Sequence, residues 1–122
     1  DKLPHEFGLD KFIDYETHFQ VIEDFLKNEP NDSFLNYALA IEYVGQEDYT
    51  KAKDLLTELM TRDPDYTATY YHLGKLYQRE NDRVKAEEIY TEGIRLTRQK
   101  REQHKLAELQ TALNNMLFDD DE

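Results

Sequence analysis

Four histidines, His5, His18, His72 and His104, are the side chains in this chain best suited to proton transfer near neutral pH or to metal ligation. None stands four residues from another, and no H-E-x-x-H or comparable ligand spacing occurs. Cysteine is absent, which removes a thiolate nucleophile, a disulfide and a cysteine zinc site. No glycine-rich run capable of cradling a phosphate is present. The histidines therefore read as isolated packing or surface residues, and the chain is expected to be no enzyme and to need no metal and no cofactor.

Charge narrows the partners. The 122 residues carry 27 acidic and 15 basic side chains, a net charge of −12. A field of that sign repels phosphate backbones and anionic lipid, so nucleic acid and membrane surfaces are excluded as partners and basic or neutral polypeptides are favoured. Against this background Arg95, Arg98, Lys100, Arg101, His104 and Lys105 form a basic cluster. Its simplest role is to complement a helix C-terminus, and its alternative is a site for an acidic partner. Asp119-Asp120-Asp121-Glu122 reads as a solubilising acidic tail. No apolar run approaches the roughly 20 residues that span a bilayer. Asp1-Lys2-Leu3-Pro4-His5 has neither the basic nor the apolar region of a secretory leader. Together with the lack of cysteine, this predicts a cytoplasmic protein. The chain opens on Asp1 rather than Met, which leaves room for further repeats before it.

What must position any functional residue is a repeat. Asp14-Tyr15, Asp48-Tyr49 and Asp82 stand 34 residues apart, as do Pro30 and Pro64. Between them Tyr37 pairs with Tyr71, Leu39 with Leu73, Ala40 with Gly74, and Tyr43 with Tyr77. Each segment has helical periodicity. From Ser33 to Gly45 apolar residues fall at Phe34, Tyr37, Ala38, Ile41 and Val44. From Tyr49 to Arg62 they fall at Ala52, Leu55, Leu56, Leu59 and Met60. Asp32 and Asp48 stand where an N-cap oxygen satisfies the first free N–H groups. Gly45 to Asp48 and Gln78 to Asp82 read as short turns, with Asn81 suited to a left-handed conformation. Pro30 and Pro64 end helices. A further helix is predicted over 100–118, with Leu106, Leu109, Leu113, Met116 and Leu117 on one face, and the helix 84–98 either runs into it or turns softly.

On these residues the chain resembles the tetratricopeptide repeat, a helix–turn–helix unit of about 34 residues with a small residue where its helices touch. The second full repeat supplies Tyr70, Leu73, Gly74, Tyr77, Ala86, Tyr90 and Gly93, departing only with Arg98 in the closing proline slot. The first supplies Leu39, Ala40, Tyr43, Ala52 and Pro64 but has Asn36, Leu56 and Leu59 in slots for an aromatic, a second aromatic and a small residue. The N-terminal copy has only a second helix, with His18 in the alanine slot.

The resemblance implies an all-α, right-handed α-solenoid of antiparallel helix pairs, about six helices including a C-terminal cap. It divides the chain into a loose segment 1–11, a half repeat 12–30, repeats 31–64 and 65–98, a capping helix 99–118 and the tail 119–122, all one domain. It also implies a protein-interaction module whose concave groove takes a polypeptide segment. By position the groove residues are Phe34, Tyr37, Ile41 and Val44, then Tyr71, Lys75, Gln78 and Arg79. Family members that clamp a C-terminal carboxylate use Lys and Asn in slots that here hold Tyr37, Ile41, Tyr71 and Lys75, so an apolar or aromatic anchor is the expected ligand feature. One alternative is that Phe34 and Tyr37 pack on the N-terminal helix or on their own neighbours. Another is self-association into a homodimer, through the same strip or through Phe12, Ile13, Phe19 and Phe25 of the half repeat.

Overall fold

The computed structural model describes residues 15–119. Among them are six α-helices: α1 (Tyr15–Asn28), α2 (Ser33–Gly45), α3 (Tyr49–Arg62), α4 (Ala68–Arg79), α5 (Arg83–Lys100) and α6 (Gln103–Asn114). A π-helical turn, Asn115–Asp119, follows α6. The described residues form two compact units, divided between Ala52 and Lys53. The expected loose N-terminal segment, Phe12, Ile13 and most of the acidic tail lie outside the described residues.

Aspartates start three of the helices. Asp32 accepts from the Leu35 N–H at 2.8 Å, Asp48 from Lys51 at 3.3 Å and Asp82 from Lys85 at 3.1 Å. Each satisfies one of the four N–H groups that a helix start leaves without a backbone partner. The helix ends share a second device. Glu47, Asn81 and Arg101 have φ of 62°, 65° and 61°. After each of them the next residue's N–H reaches back over the last turn: Asp48 to the Tyr43 carbonyl at 2.9 Å, Asp82 to Tyr77 at 3.0 Å, and Glu102 to Thr97 at 2.9 Å. This is the Schellman arrangement, which usually places glycine at the left-handed position. Of the three, Asn81 carries a recognisable sequence signal and the other two do not. The break at Arg101 also corrects the sequence reading near the C-terminus. The helix expected to end at 98 runs to Lys100, and the final helix starts at Gln103 rather than 100.

In the first unit α1 packs on α2. Phe19 meets Tyr43 edge to face with centroids 4.8 Å apart, and Lys51 Nζ lies 5.7 Å from the Tyr43 centroid. In the second unit α4 packs on α5, and α6 covers both. The α4–α5 contact depends on two glycines. A Cβ on Gly74 would stand 2.6 Å from Tyr90 Cδ1, and one on Gly93 would stand 2.7 Å from Tyr70 Cβ and 3.0 Å from Leu109 Cδ1. Each helix thus offers a gap to the other's aromatic ring, and Tyr70, Leu73, Tyr90 and Leu109 are buried in the resulting core.

One hydrogen bond recurs one repeat apart on different side chains. Tyr70 Oη donates to the Pro64 carbonyl at 2.6 Å. At the equivalent position Asn36 Nδ2 donates to the Pro30 carbonyl at 3.0 Å and to the Asp32 carbonyl at 2.8 Å. Asn36, a departure from the family pattern, keeps the contact that ties the helix start to its preceding proline.

Two stability outcomes follow. Arg101→Gly and Glu47→Gly are expected to raise unfolding free energy by roughly 0.5–1 kcal/mol in denaturant titrations, because a left-handed conformation costs a non-glycine residue about 1–2 kcal/mol and glycine's added unfolded-state entropy returns part of that. Gly74→Ala is expected to cost about 1–3 kcal/mol by the same measurement, since the added methyl meets the buried Tyr90 ring; an unchanged midpoint would contradict this packing.

Candidate functional site

The first unit holds a pocket of about 420 Å³ between α1 and α2. Helical spacing builds it. His18, Val21 and Ile22 lie at i, i+3 and i+4 on one face of α1, and Phe34, Tyr37, Ala38, Ile41 and Glu42 lie at i, i+3, i+4, i+7 and i+8 on one face of α2. Its wall is mostly hydrocarbon. Phe34 leaves 63% of its surface exposed and Val21 50%, whereas Tyr37, Ile22 and Ile41 are half-buried. His18, Tyr37 and Glu42 bring polar atoms to this lining. Glu42 Oε1 is buried and accepts no hydrogen bond, although His18 Nδ1 lies 3.1 Å away.

The second unit holds a smaller and more polar pocket of about 310 Å³, framed by Tyr71 and Lys75 of α4 and by His104, Glu108 and Thr111 of α6. Lys75 Nζ sits 5.7 Å from the Tyr71 ring centroid, and the His104 Nε2–Glu108 Oε2 pair is 3.9 Å apart. Tyr71 meets His72 edge to face at 5.2 Å. Burial pushes the His72 imidazole below its usual range, opposed by the Glu108 carboxylate. The Tyr70 phenol is pushed up to about 12, chiefly by burial and then by nearby Glu92 and Asp65. Burial is the leading cause of both shifts, and neither ring lines either of these two pockets.

The structure sorts the eight residues predicted from sequence. Phe34, Tyr37 and Ile41 come together on the first pocket; Val44, one turn on, is half-buried outside it. Tyr71 and Lys75 come together on the second pocket. The Gln78 carbonyl oxygen accepts from Tyr90 Oη at 2.9 Å, so this side chain braces α4 on α5. Arg79 is exposed at the end of α4. Missing from the sequence reading are the α1 wall, His18, Val21 and Ile22, and the α6 wall, His104, Glu108 and Thr111. Repeat position pointed to the first helix of each pair, and these residues stand on its neighbour. Among the described residues no group of three His, Asp or Glu side chains could hold a metal ion.

Comparison with known proteins agrees with this architecture. Residues 43–115 match the family described as Tetratricopeptide repeat. The crystal structure of a tetratricopeptide repeat domain protein from Salinibacter ruber is similar at 44% identity, with a TM-score of 0.66, over 67% of this chain and 91% of that one. A solution structure of a domain protein from the same organism gives 44% identity and a TM-score of 0.65 over 69% and 85%. The solution structure of a Bordetella parapertussis protein, 24% identical over 84% of this chain and 89% of its own with a TM-score of 0.72, shares the fold. Comparison with curated proteins gives no match.

The His72 shift has a sign that can be measured. Its folded-state pKa is below the ordinary 6.5, so the unfolded chain binds the extra proton first and stability falls as pH drops through 6.5 towards the folded value. His72→Gln is expected to flatten that part of the curve in thermal unfolding between pH 7 and pH 5.

Proposed function

Because the chain belongs to the tetratricopeptide repeat family, a fold that mediates protein–protein interaction, we propose that it is an adaptor which captures a polypeptide segment by an apolar or aromatic anchor. The observation that carries this reading is the α1–α2 pocket. Phe34 lies mostly exposed beside Tyr37 and Ile41, and soluble proteins seldom leave contiguous apolar surface of this kind without a use. Aromatic side chains in a concave site supply much of the energy of interfaces, whereas polar neighbours fix orientation. The groove set proposed is Phe34, Tyr37, Ile41 and Val44 on α2, with Tyr71, Lys75, Gln78 and Arg79 on α4. Lys75 is the one cation among those facing a pocket, which supports an apolar anchor over a clamped carboxylate. The repeat division proposed is 12–30, 31–64 and 65–98, with 99–118 as the cap.

Tetratricopeptide repeats are generally non-catalytic, and the adaptor reading gives this chain no chemistry of its own. No helix among the described residues is long and apolar enough to cross a membrane. A cytoplasmic setting belongs to the proposal. A second reading, self-association into a homodimer, draws on Phe25 and Val21, which are 60% and 50% exposed on α1.

Tyr37→Ala combined with Tyr71→Ala is expected to abolish capture of peptides selected on the wild-type chain from a random library, with the helical circular dichroism unchanged. Capture at wild-type strength by the double variant would remove the groove assignment. Sedimentation over a concentration range separates the second reading, since a strict monomer excludes it.

A further inference from the structure

We propose that the α1–α2 face docks a basic amphipathic helix of a partner polypeptide, seated as α4 seats on α5 and α6. The proposal rests on the polypeptide-capture reading and specifies its ligand. Sequence register provides the template. At twice the repeat spacing α1 and α2 correspond to α5 and α6, so Val21, Ile22 and Ile41 occupy the positions of Ile89, Tyr90 and Leu109. Those three are at most 5% exposed, and α4 packs on both of their helices, with Gly74 against Tyr90 and Tyr70 against Gly93. Among the described residues no helix stands before α1, and Val21 and Phe25 remain half or more exposed.

Charge and one buried carboxylate oxygen specify the sign of the occupant. From Tyr15 to Gly45 the chain has six carboxylates and one cation, Lys27. The helix that fills the equivalent place in the second unit, α4, carries Lys75 and Arg79 and no carboxylate. The buried Glu42 Oε1 accepts no hydrogen bond and has only the His18 Nδ1 at 3.1 Å beside it, and a lysine or arginine from the occupant supplies a permanently charged donor.

Size specifies the pattern. The Tyr90 and Gly93 positions hold Ile22 and Phe25 in the first unit. The large and small partners are exchanged, so the occupant needs a bulky apolar residue where α4 has Gly74 and a small one where α4 has Tyr70. The ligand is therefore a helix with a small residue at i, apolar residues at i+3 and i+4, and flanking cations.

The chain's lack of native cysteine permits a clean test on the full chain with Val21→Cys. The measured quantity is the rate of thiol alkylation. The probe is a peptide of the Tyr66–Arg79 sequence with Tyr70→Ser and Gly74→Leu, held helical by a lactam bridge on its solvent side. Expected is fast alkylation at low chain concentration, slowed by this peptide in a saturable way. Protection is expected to need about tenfold more of the unmodified sequence, since overpacking by a ring costs about 1–3 kcal/mol and 1.4 kcal/mol is tenfold. It is expected to need similarly more of the Lys75→Glu, Arg79→Glu version, and Glu42→Gln in the chain is expected to narrow that charge preference. Slow alkylation in dilute chain without peptide means that the chain covers its own face, and slowing only as chain concentration rises means that a second copy does; either overturns the proposal. Equal protection by an apolar peptide broken with proline overturns the helical ligand and leaves polypeptide capture standing. No protection by any peptide, in a chain whose thiol reacts fast, overturns both.

Discussion

The α4–α5 contact is a reciprocal exchange of volume. Gly74 vacates the space that Tyr90 fills, and Gly93 vacates the space that Tyr70 fills. Helix axes can approach this closely only where one partner has no side chain, and the ring that enters the gap then excludes water from both backbones. The rest of the second unit inherits its geometry from this pairing. Leu109 of α6 reaches the same glycine, Gln78 is held by the Tyr90 hydroxyl, and the Tyr70 hydroxyl ties the start of α4 to Pro64. The polar pocket framed by Tyr71, Lys75, His104 and Glu108 lies on elements positioned in this way.

Helix starts and helix ends are governed differently. The starts of α2, α3 and α5 are specified by a side chain, an aspartate whose oxygen replaces the missing carbonyl partner. The ends of α2, α4 and α5 are specified by a backbone conformation, adopted by Glu47, Asn81 and Arg101 without a glycine among them. The residue after the left-handed position is in turn the cap of the next helix: Asp48, Asp82 and, without a side-chain cap bond, Glu102. Glu102 instead accepts from Thr67 Oγ1 at 2.6 Å, joining the turn before α4 to the turn after α5. Arg83 Nη2 donates at 2.7 Å to the Met116 carbonyl, one of the last carbonyls of the C-terminal helix. A turn of two or three residues thereby ends one helix and starts the next with little chain to spare.

Much of this was legible in the sequence, and for identifiable reasons. The spacing of Asp14, Asp48 and Asp82 and of Pro30 and Pro64 fixed where helices begin and end, because both residue types act locally. Gly74 marked the close approach. The break at Arg101 was hidden because a left-handed arginine has no sequence signature. Of the site, Phe34, Tyr37 and Ile41 were legible from their shared helix face, and so were Tyr71 and Lys75. The bond that Gln78 accepts from Tyr90 was not legible, because it joins side chains on two helices. The α1 wall, His18, Val21 and Ile22, escaped notice because second helices of such repeats ordinarily lie inside the stack.

Asn36 and Tyr70 deliver a donor to the same carbonyl, Pro30 or Pro64, from side chains of unlike size and chemistry. What descends from one copy to the next is thus a point in space where a proton must arrive, and the identity of its bearer is free to drift. The first full repeat also carries Leu59 where the second has the small Gly93, so both members of the ring-and-glycine pair differ between the copies. Divergence between copies then proceeds by paired trades of bulk, so a profile that scores positions singly will undercount kinship that a profile of pairs would recover.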